Sequence, residues 1–368
     1  MKRKIFLANP RLWLAASILF FGTVIGFGFF GSADISTGTI ANGVKSLFVP
    51  PKYPPLDKAD YDLRLDKLAH LLPIDATNTL SIIPASSSTS TASTTRLWPV
   101  ATAYPDDGAI LPFKRVVAYY GNFRSKGMGV LGEYPTSTMI AMLESEVAKW
   151  NAADPETPVL PAIQEIAITA QGYPGPDKKY RARMPDSDIE EAIDLAKAVN
   201  GIVILDVQVG QSTLEDEVPT LAKWLALPQV HLAIDPEFAM QPGQIPGDQY
   251  VGSLDAKDIN WTIDYLANIV KTNGLPPKIL VIHRYREHMV TNSQDIETPP
   301  EVQVVMNMDG WGTPGGKKSI YYSYIYKQPV EFTGIKLFYK NDIANGSTML
   351  ATSDVMSLKP TPIYIQYQ

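Results

Sequence analysis

From residue 116 to residue 368 the sequence alternates eight short, β-rich apolar runs with stretches of helical character, and this alternation constrains the fold more than any other feature. The runs are Val116–Gly121, Leu160–Ala170, Gly201–Val209, Val230–Asp235, Lys278–Tyr285, Val302–Asp309, Gly334–Tyr339 and Ile363–Gln368. Cores such as Ile202-Val203-Ile204-Leu205 and Ile279-Leu280-Val281-Ile282 are apolar without a break. Strands buried on both faces look like this, and parallel sheets bury both faces. Between them the pattern predicts helices over Thr138–Trp150 and Asp255–Lys271, the latter stopping before Asn273-Gly274, a normal C-terminal signal. Two more are expected to start at Ser187 and Ser212, each with a Glu three residues on, in a capping box.

Alternating strands and helices imply a parallel sheet, and eight strands in about 250 residues fit a closed (β/α)8 TIM barrel. An open doubly wound sheet is the alternative. It would carry a Gly-rich phosphate loop after its first strand, and Tyr119-Tyr120-Gly121-Asn122 is not one. The eighth strand has no helix after it, so a groove between the first and last units needs a cover. The expected cover is an amphipathic helix at about 57–72, with Tyr61, Leu65, Leu68 and Leu72 on one stripe, or the Leu97–Phe113 segment. The helix could instead belong to a stalk.

The remainder divides into residues 1–33, a hydrophobic anchor, and 34–99, a linker, leaving 100–368 for the barrel. Lys2, Arg3, Lys4 and Arg11 precede an uncharged run from Leu12 to Phe30. That length is close to the roughly 20 residues a membrane helix needs, and basic flanks stay in the cytoplasm, which predicts an extracytoplasmic barrel. A cleaved signal peptide ending near Gly31-Ser32-Ala33 is the competing reading, which would make the protein secreted. Pro50-Pro51 and Pro54-Pro55 mark an extended spacer, and Ala85–Thr95 is almost wholly Ser, Thr and Ala, a flexible stalk composition. The absence of cysteine excludes disulfides, thiolate metal sites and a lipidated-cysteine anchor. A net charge of −6 with no basic patch argues against nucleic acid as a partner.

Chemistry in such barrels sits at the C-terminal strand ends. Reading those ends in order gives Tyr120, Gln171, Asp206 with Gln208, Asp235 with Glu237, His283 with Arg284, Asp309 with Trp311, and Lys336 with Tyr339. Residues i and i+2 of a strand share a face, so Asp206/Gln208 and Asn307/Asp309 are expected to point inward together. Adjacent strands 3 and 4 would bring Asp206 near Asp235, raising one pKa, as general acid–base chemistry requires. Pro236 cannot continue a central ladder, which places Glu237 at the rim. The expected catalytic set is Glu237 as acid with Asp235 or Asp206 as nucleophile or base. Tyr120, Gln171, Gln208, His283, Arg284, Asp309, Trp311, Lys336 and Tyr339 are the expected substrate contacts. Each has a plainer reading: an aspartate at a strand end is often a turn former, His283 beside Arg284 a structural hydrogen-bonder, and Lys336 an ion-pair partner rather than a Schiff-base lysine. Pro314-Gly315-Gly316-Lys317 lacks the spacing of a phosphate-binding loop.

Several stretches carry a family resemblance: Gly129-Val130-Leu131-Gly132-Glu133, Pro174-Gly175-Pro176-Asp177, Leu205-Asp206-Val207-Gln208, Leu232-Ala233-Ile234-Asp235-Pro236-Glu237-Phe238, Met308-Asp309-Gly310 and Gly334-Ile335-Lys336-Leu337-Phe338-Tyr339. Over about residues 116–368 the chain resembles an uncharacterised family of secreted or lipid-anchored bacterial TIM-barrel proteins of actinobacterial type. The resemblance implies the barrel and an envelope location, and it implies no reaction. Glycosidase barrels are a broader analogy. Where that family carries a lipidated cysteine, this chain has an apolar run instead.

Three functions remain open. The first is a glycosidase acting on envelope polysaccharide or cell-wall glycan through paired carboxylates, with no cofactor. The second is a non-catalytic sugar-binding or scaffold barrel. The third is a metal-dependent hydrolase using Asp206, Asp235, Glu237, His283 and Asp309, a donor set suited to Mg, Ca or Mn.

Overall fold

A computed structural model describes residues 53–71 and 96–368. The apolar run 12–30, the spacer to residue 52, Leu72 and the stalk 85–95 lie outside the described residues. Among the described residues no helix is long and apolar enough to cross a membrane.

Eight parallel strands close on themselves. They are β1 (Arg115–Gly121), β2 (Val159–Ala170), β3 (Ile202–Val207), β4 (Val230–Ile234), β5 (Lys278–Arg284), β6 (Val302–Met308), β7 (Phe332–Leu337) and β8 (Tyr364–Tyr367). Each pairs with its sequence neighbours, and β1 pairs with both β2 and β8. The closing register sets Val116 against Tyr364 and Ala118 against Gln366. Each of the eight predicted runs is a stave of this barrel, with ends shifted by a residue or two.

Alternation along the staves divides the interior in two. The lower half is apolar: Val116, Ala118, Ala162, Ile202, Ile204, Ala233, Ile279, Val281, Val305 and Tyr364 form one buried cluster. Above it, on the same faces, come Tyr120, Gln164, Asp206, Asp235, His283, Asn307, Lys336 and Gln366. Hydrogen bonds between staves that are not neighbours, Gln164 to His283 and Asn307 to Gln366, confirm that these side chains meet inside. A polar layer of this kind is costly to bury unless its members pair with one another.

Helix α1 (Lys58–Leu68) forms where predicted, capped by Asp57, whose carboxylate accepts from the Ala59 and Asp60 N–H groups. It covers the bottom of the barrel rather than the groove beside β8. Tyr61 joins the interior cluster, Leu65 and Leu68 pack against it, and the Leu68 carbonyl accepts from Thr361 N–H at 2.8 Å. The 97–113 segment lies there too. Leu111 is fully buried in the same cluster, and the Gln303 side chain accepts from Ile110 and Leu111 N–H and donates to the Leu111 carbonyl. The expectation that either segment fills the outer groove is therefore corrected. Aromatic residues fill it: Tyr119, Tyr339 and Tyr367 pack together, and Trp150 of α2 (Thr136–Ala153) donates its indole N–H to Tyr367 Oη at 3.0 Å. Because α1 seals the lower mouth, Leu65→Ala should cost about 1–2 kcal/mol, less than a fully buried leucine because the side chain is half-exposed. An unchanged thermal melt would show that α1 is only an appendage.

Helix α3 (Asp186–Ala198) starts one residue before Ser187, with Pro185 in the cap position, so the expected capping box is absent. The reason is Asp188, which is drawn to the Arg124 guanidinium, while the Ser187 hydroxyl donates to Asp188. After β3 the cap is Thr213 rather than Ser212, whose hydroxyl turns to Glu217 at 2.6 Å. Helix α4 (Ala256–Asn273) has the full capping box of Asp255 and Asp258 and ends on left-handed Gly274. One unit departs from the pattern: between β5 and β6 only the 3-10 turns Glu287–Met289 and Ser293–Asp295 and a two-residue strand, Val290–Thr291, take the place of a helix. Helix α5 (Pro314–Ile320) follows β6 and continues as a π-helical turn, Tyr321–Tyr326.

Candidate active site

Above the polar layer a cleft of about 670 Å³ opens at the C-terminal mouth. The end of β4 supplies two of its three acids, and Asp309 after β6 the third. Pro236 cannot donate to a neighbouring strand, so the ladder stops at Ile234 and the chain turns through a 3-10 helix, Pro236–Phe238. Asp235 caps that turn, its Oδ1 accepting from Glu237 N–H at 3.1 Å. Asp235 is 3% exposed. Gln208 Nε2 lies 3.4 Å from its Oδ2 and 3.3 Å from Tyr120 Oη. Glu237 is half-buried on the wall and accepts from Tyr285 Oη at 2.9 Å.

Beneath the cleft lies a charged chain. His283 Nε2 is 2.8 Å from Asp206 Oδ2, and its Nδ1 is 3.1 Å from Asp309 Oδ2. Asp309 Oδ1 in turn meets Lys336 Nζ at 3.0 Å, and Lys336 sits 3.7 Å above the Tyr120 ring. Gln164 Nε2 donates to Asp206 Oδ2 at 2.6 Å, and its oxygen accepts from Tyr364 Oη. Burial opposes a charged imidazole, but Asp206 and Asp309 outweigh it and push the His283 pKa up to about 10. Burial likewise opposes charge on Asp309, yet Lys336 and His283 prevail and hold it below the usual range. Two cations thus balance two carboxylates.

Asp235 and Glu237 have no such partner. Burial raises Asp235 well above the ordinary carboxylate range; the charge of His283 resists the rise, and Glu237, Asp309 and Asp206 reinforce it. Burial and then Asp309 raise Glu237, while the Tyr285 hydroxyl, Lys336 and His283 resist the rise. Both acids line one cleft without an ion-pair partner, and both are shifted toward the protonated form.

The cleft brings together Tyr120, Gln208, Asp235, Glu237, Asp309, Trp311 and Lys336 of the expected residues. Trp311 stands at its edge, 62% exposed. Five expectations need correction. His283, an expected substrate contact, is fully buried beneath the cleft and does not line it. Asp206 does not reach the cleft: it is fully buried below it against His283. Arg284 points outward, since His283 on the same strand points inward; its guanidinium donates to the Arg286, Glu287 and Val290 carbonyls. Tyr339 is in the outer aromatic cluster, 2.7 Å from Tyr119 Oη. Gln171 does not line the cleft; its N–H pairs with the Tyr180 carbonyl. Tyr285 was overlooked as a site residue, although its spacing of two from His283 places it on the inner face. Gln164 was missed because it lies in the middle of an apolar run, where no strand end marks it.

The five residues of the metal-dependent reading do not assemble into a donor set. His283 has a carboxylate against each nitrogen, and among the described residues no group of three or more His, Cys, Asp or Glu is placed to hold an ion.

No family model matches the chain, and no curated protein does. Solved structures that are similar include a cellulase, Cel5C_n (14% identity, 69% of this chain and 75% of that chain, TM-score 0.38). Others are Cel5A of Thermotoga maritima (9% identity, 70% and 88%, TM-score 0.35) and a GH18 chitinase of Pseudoalteromonas aurantia (12% identity, 69% and 93%, TM-score 0.31). Each likeness is distant. The closed ring of paired strands defines the fold by itself.

Proposed function

We propose that the cleft is the active site of a glycoside hydrolase in which Asp235 and Glu237 are the two working carboxylates. One observation carries this reading: among the described residues they are the only acids lining the cleft without an ion-pair partner, and both are pushed toward the protonated form. Hydrolysis of a glycosidic bond needs one carboxylic acid to protonate the leaving oxygen and one carboxylate to act as nucleophile or base. A pair sharing a single proton is that combination. Burial places the resting proton on Asp235, and the Tyr285 hydrogen bond favours the anion on Glu237. This reverses the assignment expected from the rim position of Glu237: Glu237 attacks or activates water, and Asp235 is the acid. Flat aromatic faces on the cleft, Trp311, Tyr285 and Phe338, suit the apolar faces of sugar rings.

The substrate class we propose is a polysaccharide of the cell envelope. The basic-flanked apolar run Leu12–Phe30 supports a tethered, extracytoplasmic barrel, and membrane fractionation with protease accessibility of the barrel tests that part. For the activity, the purified chain is incubated with aryl glycosides, plant and bacterial polysaccharides and envelope glycan, and new reducing ends are counted. Trp311→Ala is expected to raise KM about tenfold with kcat little changed, as for a lost stacking contact worth about 1–1.5 kcal/mol. Saturable glycan binding without any new reducing end would instead establish a sugar-binding barrel.

A further inference from the structure

The unit that lacks a helix leaves a second opening, a groove of about 790 Å³ on the barrel's outer wall. Arg284, Glu287, His288, Asn292, Lys327 and Gln328 are among the residues that line it. We propose that this groove binds a carboxylate group, carried by a saccharide or a small organic acid, between Arg284 and Lys327.

Arg284 is fully buried, yet it makes no ion pair among the described residues. Its Nε and Nη2 donate only to backbone carbonyls, and Nη1 has no hydrogen-bond partner. A buried guanidinium without an ion-pair partner is expensive: burial draws its pKa down to about 10, and the Glu287 charge, which is not in contact with it, only partly opposes the fall. A structural role alone would be met by the three carbonyls and would not require the unmatched charge to border an open groove. Lys327, which lines the same groove, is exposed and also lacks an ion pair among the described residues. Of the lining side chains Arg284 and Lys327 are cationic and Glu287 is anionic, two minus one, a surplus of one positive charge. That surplus matches a monoanion rather than a phosphate dianion, and a guanidinium with a free N–H fits carboxylate geometry. The Gln328 side-chain oxygen already accepts from the Ser293 hydroxyl, which leaves its NH2 group to offer a hydrogen bond to a hydroxyl beside the carboxylate.

The test does not depend on catalysis. Glucuronate is titrated against the intact chain by calorimetry at low salt, with glucose as its uncharged counterpart and acetate as the bare carboxylate. Saturable binding of glucuronate, none of glucose and a shift of the Arg284 guanidinium N–H resonance are expected. Lys327→Gln should weaken binding about tenfold, the loss of one charge-assisted hydrogen bond, while Trp311→Ala in the cleft leaves it unchanged. Acetate binding as tightly identifies a free organic acid as the source, and much weaker acetate binding a saccharide. Absence of saturable glucuronate binding, equal binding of glucose, or a loss that follows Trp311 and not Lys327 overturns the proposal.

Discussion

Asp235→Asn and Glu237→Gln should each lower kcat on any glycan substrate by about a thousandfold, within the range for removing a positioned acid or base. The two variants should differ from ordinary active-site damage in stability. Burial already favours the uncharged form of Asp235, so asparagine replaces a neutral acid by a neutral amide. Its oxygen still caps the Glu237 N–H. The melt of Asp235→Asn is therefore expected at or slightly above that of the parent chain. Turnover retained in both variants would remove the pair from the mechanism and with it the hydrolase reading. The assignment within the pair has its own signature, because a small external nucleophile such as azide should restore turnover differently in the two variants. With Glu237→Gln it takes the place of the missing carboxylate and gives a product of opposite anomeric configuration to that from Asp235→Asn. The rate of the parent chain should follow a bell in pH. The acid limb reports protonation of the second carboxylate, the alkaline limb loss of the shared proton, and both are displaced above ordinary carboxylate values because both groups are raised.

The second large effect concerns folding. His283→Gln should cost about 3–5 kcal/mol at pH 6, because it leaves Asp206 and Asp309 facing each other in the barrel with one cation removed. The pH dependence has a definite sign. The folded-state pKa of His283 is raised from 6.5 to about 10, so its contribution is complete below pH 6.5 and is lost as pH climbs through about 10. The stability gap between parent and His283→Gln should accordingly narrow from pH 6 to pH 10. Comparing the two chains matters, since Lys278, Glu165 and Glu331 are buried groups that titrate in the same range and act on both alike. A gap that stays constant over that range would mean His283 is not protonated in the native state.

Much of this arrangement is legible in the sequence. Continuous apolar runs such as Ile279–Ile282 have one physical explanation, burial on both faces, and their number set the barrel. Strand ends then pointed to Asp235, Glu237, His283 and Lys336. Arg284 and Tyr339 were misjudged for a reason the sequence already contained: once His283 faces inward, its neighbour faces the helix layer, and parity from Lys336 sends Tyr339 elsewhere. Asp206 shows a different limit. Its inward direction was readable, but whether it met solvent or a buried imidazole depended on His283 lying across the barrel, 77 positions later in the chain. Caps at Ser187 and Ser212 failed because Asp188 and Glu217, acidic residues of ion pairs, recruited those hydroxyls.

Sealing the lower mouth with α1 gives the barrel a direction. The chain reaches the stave bundle from underneath, through residues whose task is to close it, while the cleft opens at the far end. The described segment that precedes the staves thus occupies the foot, and the working face lies at the opposite end. Whatever enters the cleft arrives from the side that α1 does not occupy.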